Sequence, residues 1–260
     1  MHSLRVAQDF DQQASYYAGL YSGASPVAHY FNMRVRRVME CLEGVNGGDL
    51  LEVGCGPGPI VELLVQKGIR YQGLDISPGM IAECRRRFAG VPGARFDVGD
   101  AARLNYPEGR FDVVLCLGML EYVHDEAAVV REFVRVLKPG GLLILSGCNA
   151  WSPHNAWDRL IYQRVTRTKI SATSVHQYHT VRDYRKWLCA QGMALQDLVF
   201  FDFNVLPPPL HRRLARLGLG LSDRLESHCR GRLRGLGNGF LVVCRKPHDG
   251  PRPDISDPPA

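Results

Sequence analysis

The feature that most limits how this chain can fold is the stretch Asp49-Leu50-Leu51-Glu52-Val53-Gly54-Cys55-Gly56-Pro57-Gly58-Pro59-Ile60-Val61. An apolar run of strand type leads into glycines at every second position, then Pro59 and an apolar-periodic segment through Leu64 that reads as a helix. Without a Cβ, the glycines permit positive φ and let a ligand approach the main chain. The helix that follows opens with unpaired N–H groups aimed at whatever the turn holds. A nucleotide-like ligand is one reading of such a turn, and a plain tight turn is the other. The next strand, Tyr71-Gln72-Gly73-Leu74-Asp75-Ile76, favours the first, because it ends in an acid 21 residues after Gly54. In doubly wound sheets an acid at that distance accepts hydrogen bonds from ribose hydroxyls.

From Leu50 to Ser146 the pattern alternates strand and helix, which argues for a parallel sheet with helices on both faces. The periodicity predicts strands over 50–54, 70–75, 94–98, 111–116 and 141–146, and helices over 59–67, 78–89 and 126–137. Ser77-Pro78 reads as a helix entrance and Pro139-Gly140-Gly141 as a helix exit. Ligands in such sheets sit beyond the carboxyl ends of the strands, where Gly54, Asp75, Asp100 and Cys116 all fall.

A dinucleotide fingerprint needs G-x-G-x-x-G, but here the third glycine comes one position early and Pro59 fills its slot. The string E-V-G-C-G-P-G instead resembles the first motif of class I S-adenosylmethionine-dependent methyltransferases. The resemblance continues through Asp75, Gly99-Asp100-Ala101 and Leu137-Lys138-Pro139-Gly140-Gly141, covering roughly residues 45–147. It implies a Rossmann-like α/β fold: a seven-stranded, mostly parallel sheet with an antiparallel last strand. It also implies S-adenosyl-L-methionine as cofactor. On that resemblance Gly54, Gly56 and Gly58 line the cofactor's amino-acid end and Glu52 is the acid of the first motif. Asp75 takes the ribose hydroxyls with Ile76 against the adenine, Asp100 and Ala101 meet the adenine amino edge, and Cys116 and Leu117 pass near the methionine moiety.

The resemblance also organises the flanks. Residues 7–21 place Phe10, Tyr17 and Tyr21 at helical spacing, which packing against the domain explains most simply; many small-molecule methyltransferases resemble this segment in folding it over the cofactor, which gives a second reading, a lid carrying Tyr16 or Tyr17. A second helix is predicted from Val27 to about Leu42, with apolar residues at 31, 35, 38, 39 and 42. The expected organisation is one domain over 1–246, with a helical lid (1–45), a cofactor core (46–147) and substrate-side insertions (148–235), followed by a disordered Pro- and Asp-rich tail (247–260). Within the insertions, Thr180-Val181-Arg182-Asp183 resembles a capping box, and runs from Leu195 and from Asn238 read as the closing strand pair.

Charge separates the two parts. Residues 1–150 carry 15 Lys and Arg against 17 Asp and Glu, whereas 151–235 carry 14 against 6. The basic character therefore belongs to the part that would face a substrate, a partner or plain solvent. Leucines at 210, 214, 217 and 221 with arginines at 212, 213 and 216 describe a basic amphipathic helix, suited to peripheral membrane contact or to packing on its own domain. The eight cysteines stand singly with no C-x-x-C pair, fitting buried thiols in a reducing compartment. With no apolar run near bilayer length, a cytoplasmic protein is expected.

The acceptor side carries less signal. Leu120-Glu121-Tyr122-Val123-His124-Asp125 resembles the L-E-H-V-P-D stretch of quinone-biosynthesis O-methyltransferases. It lacks their Glu two positions before the M-L pair and has Tyr122 in place of their His, so a catalytic metal, which needs about three protein ligands, is not expected. For a general base the candidates are His179 and His176, just ahead of the Thr180 helix, with His124 and His154 less well placed. The resulting expectation is a methyltransferase for a small-molecule acceptor, most simply O-methylating an acidic, phosphorylated or lipid-like metabolite. The alternatives are a nucleic-acid methyltransferase and a catalytically inactive cofactor-binding scaffold. Against the former, Cys116-Leu117-Gly118-Met119 stands where amino-methylating enzymes carry N-P-P-[YF], so no nucleic-acid partner is expected.

Overall fold

The computed structural model describes residues 2–21, 25–166, 177, 179–207 and 209–248. Its centre is a seven-stranded sheet in the order β3-β2-β1-β4-β5-β7-β6. The strands are β1 (Asp49–Val53), β2 (Arg70–Asp75), β3 (Ala94–Val98), β4 (Phe111–Leu117), β5 (Leu137–Cys148), β6 (Ala194–Phe201) and β7 (Gly239–Arg245). Pairing is parallel from β3 through β5, and β7 runs antiparallel between β5 and β6. The sheet is thus the mostly parallel one expected, with the last strand reversed.

Two N-terminal helices, α1 (His2–Asp11) and α2 (Ala14–Gly19), precede α3 (Pro26–Cys41); the core helices are α4 (Val61–Gln66), α5 (Pro78–Arg87) and α6 (Glu126–Val136). Connections β1-α4-β2 and β2-α5-β3 step one way along the sheet, and β4-α6-β5 steps the other. Right-handed crossovers therefore put α4 and α5 on one face and α6 on the opposite face. Three helix starts are closed by side-chain caps, those at Ser77 and Thr180 as expected and one at Asp125 besides. Ser77 accepts the N–H of Met80 at the start of α5. Asp125 accepts that of Ala128 at the start of α6. Thr180 and Asp183 close a reciprocal capping box on α9 (Val181–Ala190). The central strands bury both faces, with every residue of β1 in the interior. Each fully buried Leu or Val there contributes about 1.5–3 kcal/mol.

The remaining helices are α7 (Pro153–Trp157), a π-helical turn (Asp158–Tyr162), α8 (Gln163–Thr166), α10 (Leu210–Arg213) and α11 (Ala215–Leu225). Three expectations change. The single helix expected over residues 7–21 is two, α1 and α2. The helix before Pro139 stops at Val136, and the chain is already extended from Leu137 to Gly141, with a register irregularity between Phe111 and Val113. The helix expected over 210–221 breaks at Leu214, and its leucines point outward: Leu210, Leu214, Leu217 and Leu221 are all exposed. Of the tail, residues 249–260 lie outside the described residues. Among the described residues no helix is long and apolar enough to cross a membrane.

Candidate functional site

The strand order reverses between β1 and β4, the point where doubly wound sheets open a crevice at the strands' carboxyl ends. A cavity of about 450 Å³ lies there, roofed by α1, α2 and α3. Its floor begins with Glu52, Val53 and the glycine turn. Gly54 has φ of +74°, and a Cβ on it would stand 2.7 Å from the Met119 side chain, so the turn and the end of β4 touch backbone to side chain.

Asp75 closes the adjoining edge. Buried at the end of β2, it accepts the N–H of Gly56 and of Ser77, each at 2.9 Å. Burial pushes its carboxyl pKa up while these amides oppose the shift. A carboxylate offers about four acceptor sites, so each oxygen retains capacity for a ligand hydroxyl. Glu52, also buried, is pushed up to about 7 by loss of water, with the Tyr71 hydroxyl donating to it in opposition.

The roof is aromatic. Phe10 packs 5.4 Å from the Tyr17 ring and 5.1 Å from Tyr122, while Tyr21, Tyr30 and Phe31 complete the wall. Asp11 fastens this roof to the sheet side by accepting the N–H of Gly79 at 2.8 Å and the Ser77 hydroxyl.

One cation enters the roof from α3. Arg34 is 7% exposed, with its guanidinium 4.8 Å from the Phe31 ring and donating to the Tyr21 hydroxyl at 3.2 Å. Its Nη1 lies 2.5 Å from where a Cβ on Gly118 would be, so a side chain at Gly118 would push the guanidinium aside. It is the sole Arg or Lys in the cavity wall among the described residues, and none of the carboxylates described forms an ion pair with it. A buried guanidinium cannot shed its proton and is costly without a counter-charge. Opposite stands Glu121, 4% exposed, whose Oε1 accepts the N–H of Cys148 at 3.2 Å. Its Oε2 is buried with no hydrogen-bond partner among the described residues, and burial pushes its pKa up.

Of the residues singled out by sequence, Glu52, Gly54, Gly56, Asp75, Ile76, Asp100, Ala101, Leu117 and Tyr17 all border this cavity. Gly58 does not: a Cβ there would meet Phe88 at 2.7 Å and Val61 at 2.9 Å, so it serves close packing behind the turn. Cys116 is fully buried within β4 one residue short of the rim. His179 is also elsewhere, its Nε2 3.2 Å from Glu126 Oε1 and its ring 5.0 Å from Trp187. His176 lies outside the described residues. His124 borders the cavity. Arg34 and Glu121 are the polar groups that sequence reasoning passed over. Arg34 stands three residues after Phe31 and four before Val38, a charge on the apolar stripe of its helix, and that anomaly was the available signal. Among the described residues no group of three or more His, Cys, Asp or Glu is placed to hold a metal ion.

A glycine turn, a strand-end acid three residues before a helix and a buried cation around one crevice are what a nucleoside carrying a charged tail would need. The comparisons agree in kind. A family profile described as a methyltransferase domain matches residues 51–145. The ubiquinone biosynthesis O-methyltransferase of Pseudomonas fluorescens is 30% identical over 178 residues, 66% of this chain and 75% of that protein. The enzyme of the same name from Alkalilimnicola ehrlichii is 33% identical over 153 residues, 57% of this chain, and the match spans only 61% of that relative's length. A solved Thermotoga maritima SAM-dependent methyltransferase, described as a possible histamine N-methyltransferase, shares the fold at TM-score 0.64 and 18% identity, covering 92% of this chain and 99% of that one. The chain belongs to the class I S-adenosylmethionine-dependent methyltransferase family.

Proposed function

We propose that the protein transfers a methyl group from S-adenosylmethionine to an oxygen of a small, largely apolar acceptor. The observation that carries this reading is the convergence of the Gly54–Gly56 turn, Asp75 and buried Arg34 on one aromatic-walled cavity. S-adenosylmethionine supplies a methyl group on a sulfonium, already activated for in-line displacement.

The chain's own residues then divide the work. Gly54 and Gly56, with Glu52 beneath them, would hold the amino-acid end of the cofactor, and Arg34 would provide the counter-charge for its α-carboxylate. Asp75 would accept the ribose hydroxyls through its remaining lone pairs, with Ile76 serving the adenine ring and Asp100 and Ala101 its amino edge. Phe10, Tyr17 and Tyr122 exclude water from above. With Arg34 engaged in this way, no other Arg or Lys among the described wall residues is left for a phosphorylated acceptor. The aromatic walls suit an apolar ring or chain instead.

On the acceptor side Glu121 is the candidate. Glu121 borders the cavity, and its Oε2 has no hydrogen-bond partner among the described residues; once ionised, that oxygen would be free to accept a hydrogen bond from an acceptor hydroxyl and to take its proton. Burial raises the pKa of Glu121, which makes the ionised carboxylate a stronger base than an exposed one. His179, engaged with Glu126, is not needed for that step. Similarity to ubiquinone biosynthesis O-methyltransferases supports oxygen as the methylated atom.

Calorimetry with S-adenosylhomocysteine, followed by incubation of the protein with methyl-labelled cofactor and small-molecule extract, tests both halves. Binding and a labelled, base-stable ether product are expected. Binding without labelled product would favour a silent cofactor-binding scaffold, and absence of binding would remove the reading.

A further inference from the structure

The leucine stripe of 210–221 does not pack on its own domain. Helix α11 docks through its small and polar side: Gly218 lies against Asn204 and Leu206, and fully buried Ser222 meets His29 Nε2 at 3.2 Å. Just beyond the helix, buried Glu226 is clamped by Arg37. This attachment turns the opposite, apolar side outward, leaving Leu214 45% and Leu217 64% exposed. An amphipathic helix normally buries that stripe.

A second apolar strip adjoins it. The His154 Nδ1 lies 2.6 Å from the carbonyl oxygen of Leu206, and its ring meets that of His211 at 5.1 Å, so the segment from Trp151 to Thr166 sits beside α10. There Trp151 is 67% and Val165 77% exposed, with Trp157, Leu160 and Ile161 also outward. Together the two strips carry nine of the fourteen large exposed hydrophobic residues described in the protein. Basic residues are interleaved: Arg159, stacked 5.0 Å over the Trp151 ring, and exposed Arg164, Arg213, Arg216 and Arg224. Of the acids in these strips, Asp158 is buried, and only Asp223 is exposed.

We infer that this paired face, residues 151–166 with 210–224, seats the protein peripherally on an anionic lipid leaflet. Apolar side chains, tryptophans at the boundary and guanidinium groups of one sign are what an interfacial helix needs to enter the headgroup layer. A second copy of this chain is a poorer occupant, because a two-fold contact would bring the same arginines face to face. The face also adjoins the proposed site: α11 packs on α3, which supplies Tyr30 and Arg34 to the cavity, and Cys148 borders the cavity just ahead of Trp151. The inference concerns the surface alone and does not depend on methyl transfer.

Flotation of the full chain with vesicles of phosphatidylcholine, with or without phosphatidylglycerol, tests it. The expected result is co-flotation with the phosphatidylglycerol vesicles only, accompanied by a blue shift in tryptophan emission and reversed by salt. Each arginine near an anionic surface contributes several-fold to partitioning, so Arg213→Glu with Arg216→Glu should lower it by at least about tenfold. Leu214→Asp with Leu217→Asp should do the same without shifting the thermal melt, since both sites are exposed. Flotation equal on both vesicle types, or none on either, overturns the inference. So does a concentration-dependent dimer in sedimentation that the leucine variant dissolves while vesicle binding is absent.

Discussion

The two oxygens of Asp75 tie the end of β2 to the turn after β1, Oδ2 accepting the N–H of Gly56 and Oδ1 that of Ser77. An Asp75→Asn variant places an amide donor against one of those N–H groups and removes an acceptor facing the cavity. Hydrogen bonds to charged groups are worth about 1.5–3 kcal/mol. The affinity for S-adenosylhomocysteine is therefore expected to fall by about 10- to 100-fold. Calorimetry checks it, and an unchanged affinity in a folded variant would detach Asp75 from the cofactor.

The proposed pairing of Arg34 with the cofactor's carboxylate can be separated from binding of the nucleoside. In an Arg34→Met variant S-adenosylhomocysteine should bind about tenfold or more weakly, while adenosine, which has no carboxylate, should bind as to the wild type. Arg34→Lys should recover part of the loss. Equal weakening of both ligands would indicate instead that the roof has moved.

The glycines of the turn are not equivalent. Gly54 and Gly56 both have positive φ, at +74° and +51°, but only a Cβ on Gly54 meets an obstacle, Met119 at 2.7 Å. Gly56→Ala should cost about 1–2 kcal/mol of stability, the left-handed backbone strain alone. Gly54→Ala should cost about 1–3 kcal/mol more, as overpacking adds to that strain. Denaturant midpoints of the two variants measure the difference, and its absence would mean that Met119 yields freely.

Glu52 makes stability depend on pH. Its carboxyl rises from 4.5 to about 7 on folding, so the folded state binds the proton more tightly. Stability from this group is fully present below pH 4.5 and is lost as pH climbs towards about 7. The loss amounts to about 3 kcal/mol. Asp202, also raised to about 7, acts in the same direction. Comparing the urea unfolding of wild type and Glu52→Gln at pH 5 and pH 8 isolates the contribution of Glu52: the variant should show a flatter profile. Parallel profiles would place the charge of Glu52 in a better-solvated setting.

The parts of the site carried by strand ends were legible because strand, turn and acid are local patterns: Gly54, Asp75 and Asp100 follow from where a strand stops. Ser77 and Thr180 were legible for the same reason, since a cap speaks only to its own helix. Arg34 was hidden because its meaning is tertiary. It acquires a role only when α3 crosses Gly118, which is 84 residues away in sequence. His179 looked catalytic by chain order, but Glu126 and Trp187 draw it to the side of α6. The leucine stripe was visible, yet its direction was not. Gly218 and Ser222 settle that direction by allowing a close approach on the other side.

The placement of β7 between β5 and β6 has a consequence for how the chain is made. Cys148 at the end of β5 waits for Gly239 as its partner, so a ribosome must deliver the chain past Gly239 before the central sheet can be zipped shut. Until then the nascent molecule exposes the seven-residue apolar margin Leu142–Cys148, with its amides and carbonyls open to any passing strand. A stop codon ahead of Gly239 would remove β7 and leave that margin of β5 unpaired on this side.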